Sequence, residues 1–359
     1  MPLALVVREN KKLVLEEVTL PTYGPRDLLI KVTHIAQNPT DWKYVHFGAA
    51  KPGSIVGCDF AGEIVEIGNE AIGNYIKGER VAGCVHGGLN PEVGIRGAYS
   101  EYVVQEASLV FRYPAMISSD AAATIPLASI TAALGLFHEM GLPLPLAKAE
   151  KFVLIWSGST SVGQYAIQLA KLAGCLVITT ASFARHDYLK SLGADFCLDY
   201  NDPNVVAQIK QITNDNLSYA FDCISDKESI KRVCAVLNGN NPQVVTILPN
   251  VSNEIPSHIN ERSVLMYTIF GREMNIFRKQ YKAKPEDKAF AEKFYRLLSD
   301  VLLPNHLLRP NRVTRMPDGL NGVEEGFKRM IENKIAAEKL VYTVAETTKN
   351  CKLEINSNL

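Results

Sequence analysis

FVLIWSGSTSVGQYAIQLAKLAG, residues 152–174, runs from an apolar stretch of strand length, Phe152–Trp156, through small and hydroxylated residues into a helical pattern. A strand-to-helix turn of this kind sets backbone N–H groups and a helix N-terminus before an anion, and small residues let a pyrophosphate come close. The full G-x-G-x-x-G is absent. Gly158 and Gly163 remain, with Ser159, Thr160 and Ser161 between them as possible hydroxyl donors. A tight structural corner is the plainer reading of such a turn, but this one heads the longest strand–helix alternation in the chain, which favours a dinucleotide site. No Walker-type lysine follows, so a nucleoside triphosphate is not expected.

Outward from this turn the alternation continues. Strands are expected at Leu176–Ala181, Phe196–Tyr200, Tyr219–Ile224, Gln243–Leu248 and Val264–Phe270, and helices at Val162–Leu172, Arg185–Leu192, Asn204–Ile212 and Lys227–Leu237. The strands are continuous Val/Ile/Leu/Phe runs, as when helices cover both faces of a parallel sheet. Before about residue 120 the chain reads differently, as β-strands and loops: a hairpin from Leu3–Arg8 and Lys12–Val18, a strand at Leu28–Ala36, and a half-buried strand ending Gly57–Gly68. Residues 119–143 form a mostly helical apolar pattern, stopped by Gly141 and Pro143. A helix around Ala289–Leu303 and a final helix, turn and strand close the chain.

The 359 residues are 47% apolar and 21% charged, with a formal net charge of zero, so a sizeable core is expected and no nucleic-acid partner. No window holds ~18 unbroken apolar residues and the first residues do not form a signal peptide, so no membrane association is expected. Seven cysteines without a Cys-x-x-Cys suit reduced, buried thiols and a cytoplasmic location.

An acidic residue about 20 positions beyond the turn would hold the ribose 2′-hydroxyl of NAD. Here that slot holds Ala181-Ser182, followed by Arg185, with no acid until Asp187. A carboxylate would repel a 2′-phosphate, whereas Ser182 and Arg185 suit one, which points to NADPH; Arg185 as a helix-start residue in solvent is the plainer alternative. Tyr200 could lie against the adenine.

With "GCDFAGEIVEIG" (57–68) before "KGERVAG", then "GAYSEYVV" and a closing "AEKLV", the chain resembles the medium-chain dehydrogenase/reductase superfamily over nearly its whole length. The resemblance implies an α/β fold: a GroES-like β-rich catalytic domain from residues 1–122 and 280–359, and a doubly wound parallel-sheet Rossmann domain from 123–279, with the active site between them. Zinc-dependent members carry a cysteine at the position of Asn38 and Gly-His-Glu at Gly57-Cys58-Asp59. Asn38 is a poor zinc ligand and no cysteine cluster stands in the structural-zinc loop, so no metal is expected. "NPTDWK", "SGSTSVGQ", "LDYNDPNV" and "YAFDCIS" most resemble a fungal group that includes trans-acting enoyl reductases of polyketide synthesis and yeast NADPH-dependent aldehyde and alkenal reductases. Many relatives have glycine at the position of Ser157.

That resemblance implies cofactor contacts at Thr40, Asp41 and Lys43, at Gly158, Ser159, Thr160, Ser161 and Val162, and at Ser182, Arg185, Tyr200, Leu248, Pro249 and Ala336, although the family often has Ser-Gly at Ala336-Ala337. It places Thr131, Leu134, His138, Thr268, Phe270 and Gly271 on the substrate side. Without a metal, hydride goes most readily to a conjugated enone or enoyl thioester, where charge builds on the carbonyl oxygen and donors can stabilise it. The candidate catalytic residues are Lys43, which could hold the nicotinamide ribose or polarise the substrate, Thr131, which could bond either, and Asn38, whose alternative is a turn asparagine. Lys43 as a surface lysine and Thr131 as a helix-bonding threonine are the structural alternatives. The expected activity is NADPH-dependent reduction of an activated C=C bond. Reduction of an aldehyde or quinone, or action as the trans-acting partner of a polyketide synthase on a carrier-bound substrate, stay open, as does monomer against homodimer.

Overall fold

The computed structural model describes residues 1–94, 96–248, 253–276 and 279–349 and divides into two compact units. The first comprises Met1–Leu127, Gly271–His306 and the chain from Pro310 on; the second comprises Ala128–Phe270 with Leu307–Arg309. The first unit runs to Leu127, whose N–H donates to buried Asp59 (2.9 Å), and resumes at Gly271.

The first unit opens with the antiparallel hairpin Leu3–Val7/Leu13–Glu17, in register from Leu3 opposite Glu17 to Val7 opposite Leu13. Its main sheet has seven strands. The order is Arg312–Met316, Glu338–Thr343, Asp27–Ala36, Asp59–Ile67, Arg80–Cys84 and Val110–Arg112, with Tyr102–Glu106 also paired to Asp27–Ala36. Alternation puts Leu28, Ile30, Phe60 and Phe111 into a core that also takes Tyr99, Phe294 and Tyr295. The helix expected around Ala289–Leu303 spans Pro285–Leu297 and continues as a π-helical turn, Leu298–Leu302. One helix, Pro39–His46, was not expected. Pro39 fits the first helical position, and Asp41 accepts the backbone N–H of Asn38 (2.7 Å), half of a capping box.

The second unit is a six-stranded parallel sheet ordered Phe196–Leu198, Leu176–Thr180, Phe152–Trp156, Tyr219–Asp222, Gln243–Thr246, Asn260–Ser263. In chain order this is 3-2-1-4-5-6, the Rossmann arrangement, whose direction reverses between the first and fourth strands. The sixth strand is a correction. The apolar run Val264–Phe270 is mostly buried and ends in a 3₁₀ turn, Met266–Phe270, while the edge strand is the polar Asn260–Ser263. An edge strand faces solvent and need not be apolar, so hydrophobicity pointed to the wrong segment.

Helix Ser161–Leu172 packs by its period: Val162, Tyr165, Ala166, Leu169 and Ala170 share a face, all but Val162 fully buried. Thr160 caps it, its side chain accepting the Gly163 N–H, and Gly174 ends it at φ +81. Leu154, Ile178, Ile209, Ile230, Val233 and Val244 form a core cluster of this unit, each worth ~1.5–3 kcal/mol of burial. The helical run Ser119–Glu139 is long and apolar enough to cross a membrane, but 89% of its most apolar 18-residue window is buried in the protein, as in a core helix.

Candidate functional site

In the second unit the expected cofactor residues follow the carboxyl ends of four of the six parallel strands. The turn 157–160 follows Phe152–Trp156, Ser182 and Arg185 follow Leu176–Thr180, Tyr200 follows Phe196–Leu198, and Leu248 follows Gln243–Thr246. Pro249 lies outside the described residues.

The glycines are needed for close approach. A β-carbon on Gly158 would come within 2.1 Å of Thr179 Oγ1, and one on Gly163 within 2.6 Å of the Ser157 carbonyl oxygen. The turn is fastened to the next strand, because Ser157 N donates to Thr180 Oγ1 (3.0 Å) and Gly158 N to the Thr180 carbonyl (2.9 Å). The Thr160 hydroxyl donates to the Ser157 carbonyl (2.9 Å) and accepts from Gly163 N (3.0 Å), so in this structure it is engaged within the turn. Ser159 keeps a half-buried hydroxyl while its carbonyl accepts from Gln164 Nε2 (3.0 Å), and Ser161 and Val162 begin the helix, half-buried. Gln164 Oε1 in turn accepts from Tyr188 OH (2.8 Å), tying the turn to the helix just beyond Arg185.

Ser157 has φ +63, a left-handed conformation that costs a residue with a β-carbon roughly 1–2 kcal/mol. Ser182 and Arg185 are half-buried on a 3₁₀ turn, and the Arg185 guanidinium makes no hydrogen bond or ion pair among the described residues. Tyr200 is 40% exposed, its carbonyl accepting from Arg232 (2.5 Å). The half-buried Ser159 hydroxyl and the Arg185 cation, which has no ion pair among the described residues, leave polar groups at this end of the sheet that suit an anionic ligand. Sequence reasoning passed over Asp222. Wholly buried, it accepts from Ile224 N, Ser225 N (both 3.0 Å) and Ser229 Oγ (2.5 Å), fixing the loop after the fourth strand.

Of the expected substrate-side residues, Thr131, Leu134 and Thr268 are buried, and Thr268 donates its hydroxyl to the Leu265 carbonyl (2.8 Å). Leu134 is only 2% exposed and serves packing. His138 is half-buried on the π-helical turn Leu134–Glu139, and Phe270 is half-buried at the end of its 3₁₀ turn. Gly271, which belongs to the first unit, is half-buried at φ +62.

The first unit holds a closed polar cluster. Asp59 is wholly buried; its Oδ2 accepts from Lys339 Nζ (2.5 Å) and Asn38 Nδ2 (2.9 Å), and its Oδ1 from Leu127 N. Lys339, 2% exposed, also donates to the Thr124 carbonyl (3.2 Å). Asn38 is therefore not an open donor: it is 2% exposed with its amide on Asp59. These residues do not fit zinc. The carboxylate at the metal position is already neutralised by an ammonium, and among the described residues no three His, Cys, Asp or Glu side chains gather to hold an ion.

Asp41 is likewise internal. Its Oδ2 accepts from Asn38 N and Tyr99 OH (both 2.7 Å), and burial pushes its carboxyl up to about 6 against those bonds. Its side chain holds the helix. That helix presents Thr40 and Lys43, both half-buried. Burial lowers the Lys43 ammonium pKa, and among the described residues it makes no ion pair, lying 5.8 Å from the Trp42 ring. On the same helix Tyr44 OH pairs with buried His86 Nε2 at 2.9 Å. Near the chain end Ala336 is exposed, and Ala337 stands at φ +60 where the family often has glycine.

Residues 24–115 match the alcohol dehydrogenase GroES-like domain and residues 161–271 the zinc-binding dehydrogenase family. A trans-enoyl reductase of Penicillium crustosum is 35% identical over 356 residues, covering 95% of this chain and 96% of that protein. A zinc-type alcohol dehydrogenase-like protein of Schizosaccharomyces pombe is 32% identical, covering 94% and 97%. Among solved structures, an alcohol dehydrogenase superfamily protein of Novosphingobium aromaticivorans superposes with a TM-score of 0.77 at 22% identity, covering 96% of this chain and all of that one.

Proposed function

From the premise that the chain belongs to the medium-chain dehydrogenase/reductase superfamily of oxidoreductases, we propose that it reduces an activated C=C bond with NADPH and without a metal. The observation that carries this reading is the closed cluster of Asp59, Lys339 and Asn38. Reduction of a plain carbonyl gains most from a Lewis acid on its oxygen, and the donor set at the metal position is spent. An enoyl acceptor needs none, because conjugation already delivers charge to the carbonyl oxygen. The 35% identity to a trans-enoyl reductase supports the same choice, and we extend the proposal to a carrier-bound thioester as substrate and to a cytoplasmic location.

NADPH would supply the hydride when bound. Gly158 and Gly163 let the turn pack closely against Thr179 and the Ser157 carbonyl, setting the helix N-terminus that would hold its diphosphate, and Ser182 and Arg185 would receive the 2′-phosphate. On the substrate, the β-carbon gains hydride, the oxygen gains charge, and the α-carbon then takes a proton. Lys43 is assigned to that developing charge: its ammonium is half desolvated, which strengthens its pull on an enolate oxygen. Tyr200 and Leu248 are assigned to the adenine and nicotinamide ends, Thr40 and Ala336 to the cofactor, and Thr131, His138, Thr268, Phe270 and Gly271 to the walls around the acceptor.

The test pairs an enal with its saturated aldehyde, and an enoyl thioester free or on a carrier protein, each with NADPH and NADH, with products identified by mass and NMR. Saturated aldehyde from the enal, or saturated thioester, with NADPH preferred is expected. Allylic alcohol, or equal use of the saturated aldehyde, would establish carbonyl reduction instead. Turnover confined to the carrier-bound thioester would identify a docked partner enzyme.

A further inference from the structure

Ser157 is the first residue after strand Phe152–Trp156, which lies between Leu176–Thr180 and Tyr219–Asp222 where the sheet reverses direction. Ligands of such sheets sit at this point. Its φ of +63 is one that glycine adopts without strain and serine does not. The conformation is imposed by the backbone: its N–H goes to Thr180 Oγ1, and its carbonyl accepts the Thr160 N–H (3.1 Å) and hydroxyl. Any residue could make these three bonds, and glycine would make them without strain, so they do not account for a serine.

Ser225 shows what a serine does in this conformation when its role is structural. At φ +59 its hydroxyl donates to the Asp222 carbonyl (2.9 Å) and accepts from Ile247 N (2.9 Å). The half-buried Ser157 hydroxyl makes no hydrogen bond among the described residues. The neighbouring Thr160 hydroxyl is fully used inside the turn.

We infer that the Ser157 hydroxyl is an additional donor to the cofactor's diphosphate, retained against the backbone strain for that contact. It supplies from a side chain a bond that Thr160 cannot give. The inference rests on the dinucleotide reading above but not on the preference for NADPH, since NADH carries the same diphosphate.

The experiment compares wild type, S157A and S157G by calorimetric titration with NADPH, NADH and 2′-phospho-ADP-ribose, and by thermal unfolding without ligand. Both variants lose the hydroxyl, and only S157G relieves the strain. Expected are about tenfold weaker binding of all three ligands by both variants, and an unfolding midpoint for S157G about 2 °C above that of S157A. Wild-type affinity in either variant, or equal midpoints, overturns the inference. A wild type that prefers NADH would overturn the NADPH reading alone, while the fall in NADH affinity still supports Ser157. A wild type that binds none of the three overturns both.

Discussion

In the first unit, Asp59 and Lys339 meet below 3% exposure and every contact of the carboxylate is internal. In the second, the turn from Ser157 to Ser161 is half open, and the Arg185 cation has no anion among the described residues. Both regions sit where related folds place their chemistry, yet one has satisfied its polar groups and the other has left them for a ligand. Charge by itself does not mark a site; unspent charge does, and sequence shows only the charge.

That contrast breaks most visibly at Lys339. Replacing it by alanine strands a buried carboxylate, and urea unfolding is expected to show a loss of about 3–5 kcal/mol. The K339M/D59N pair, which removes both charges and keeps an acceptor for the Leu127 N–H, should recover part of it. A loss under 1 kcal/mol for K339A would mean that the pair is not closed.

Asp41 tests the same closure through pH. Its folded pKa, about 6, is raised above the unfolded value, so the folded state binds the proton more tightly. This contribution is present in full below about pH 4 and is lost as pH rises through 6, a difference of about 3 kcal/mol. The stability difference between wild type and D41N should follow that curve, and a flat difference between pH 4 and 7 would remove Asp41 from the closed set.

Arg185 sharpens the open side. R185A is expected to weaken NADPH binding about tenfold or more while leaving NADH within about twofold, by fluorescence titration. Equal losses for both cofactors would show that the guanidinium does not meet the 2′-phosphate. The smallest effect is at Ala337, whose φ of +60 favours glycine: A337G should add about 1 kcal/mol to stability with little change in NADPH affinity.

The parallel sheet was legible because strands buried on both faces are unbroken apolar runs, as in Phe152–Trp156 and Tyr219–Asp222. The same rule failed at the sheet's edge, where Asn260–Ser263 has one open side and the better-buried Val264–Phe270 is not a strand. The helix Pro39–His46 had a local signal, an N-cap candidate followed by proline and, three residues on, an acid, but it was hidden in a segment otherwise read as β and loop. Asp59 and Lys339 had none, since 280 residues separate them and neither neighbourhood mentions the other. Thr160 and Ser157 were both legible as hydroxyls. Which one is spent depends on a backbone turn that only coordinates show.

The sheet of the first unit places Glu338–Thr343 beside Asp27–Ala36, with Val341 opposite Ala36 and Thr343 opposite His34. During synthesis this has a direct cost. The early strands leave the ribosome with an unpaired edge and an uncompensated Asp59, and both persist until some three hundred further residues have been made. The second unit, almost one continuous stretch from Ala128 to Phe270, can complete itself meanwhile. A nascent chain released before Lys339 would therefore carry a finished parallel-sheet unit joined to an open, aggregation-prone sheet, and the last of the described strands to be translated is the one that closes the edge of the first ones.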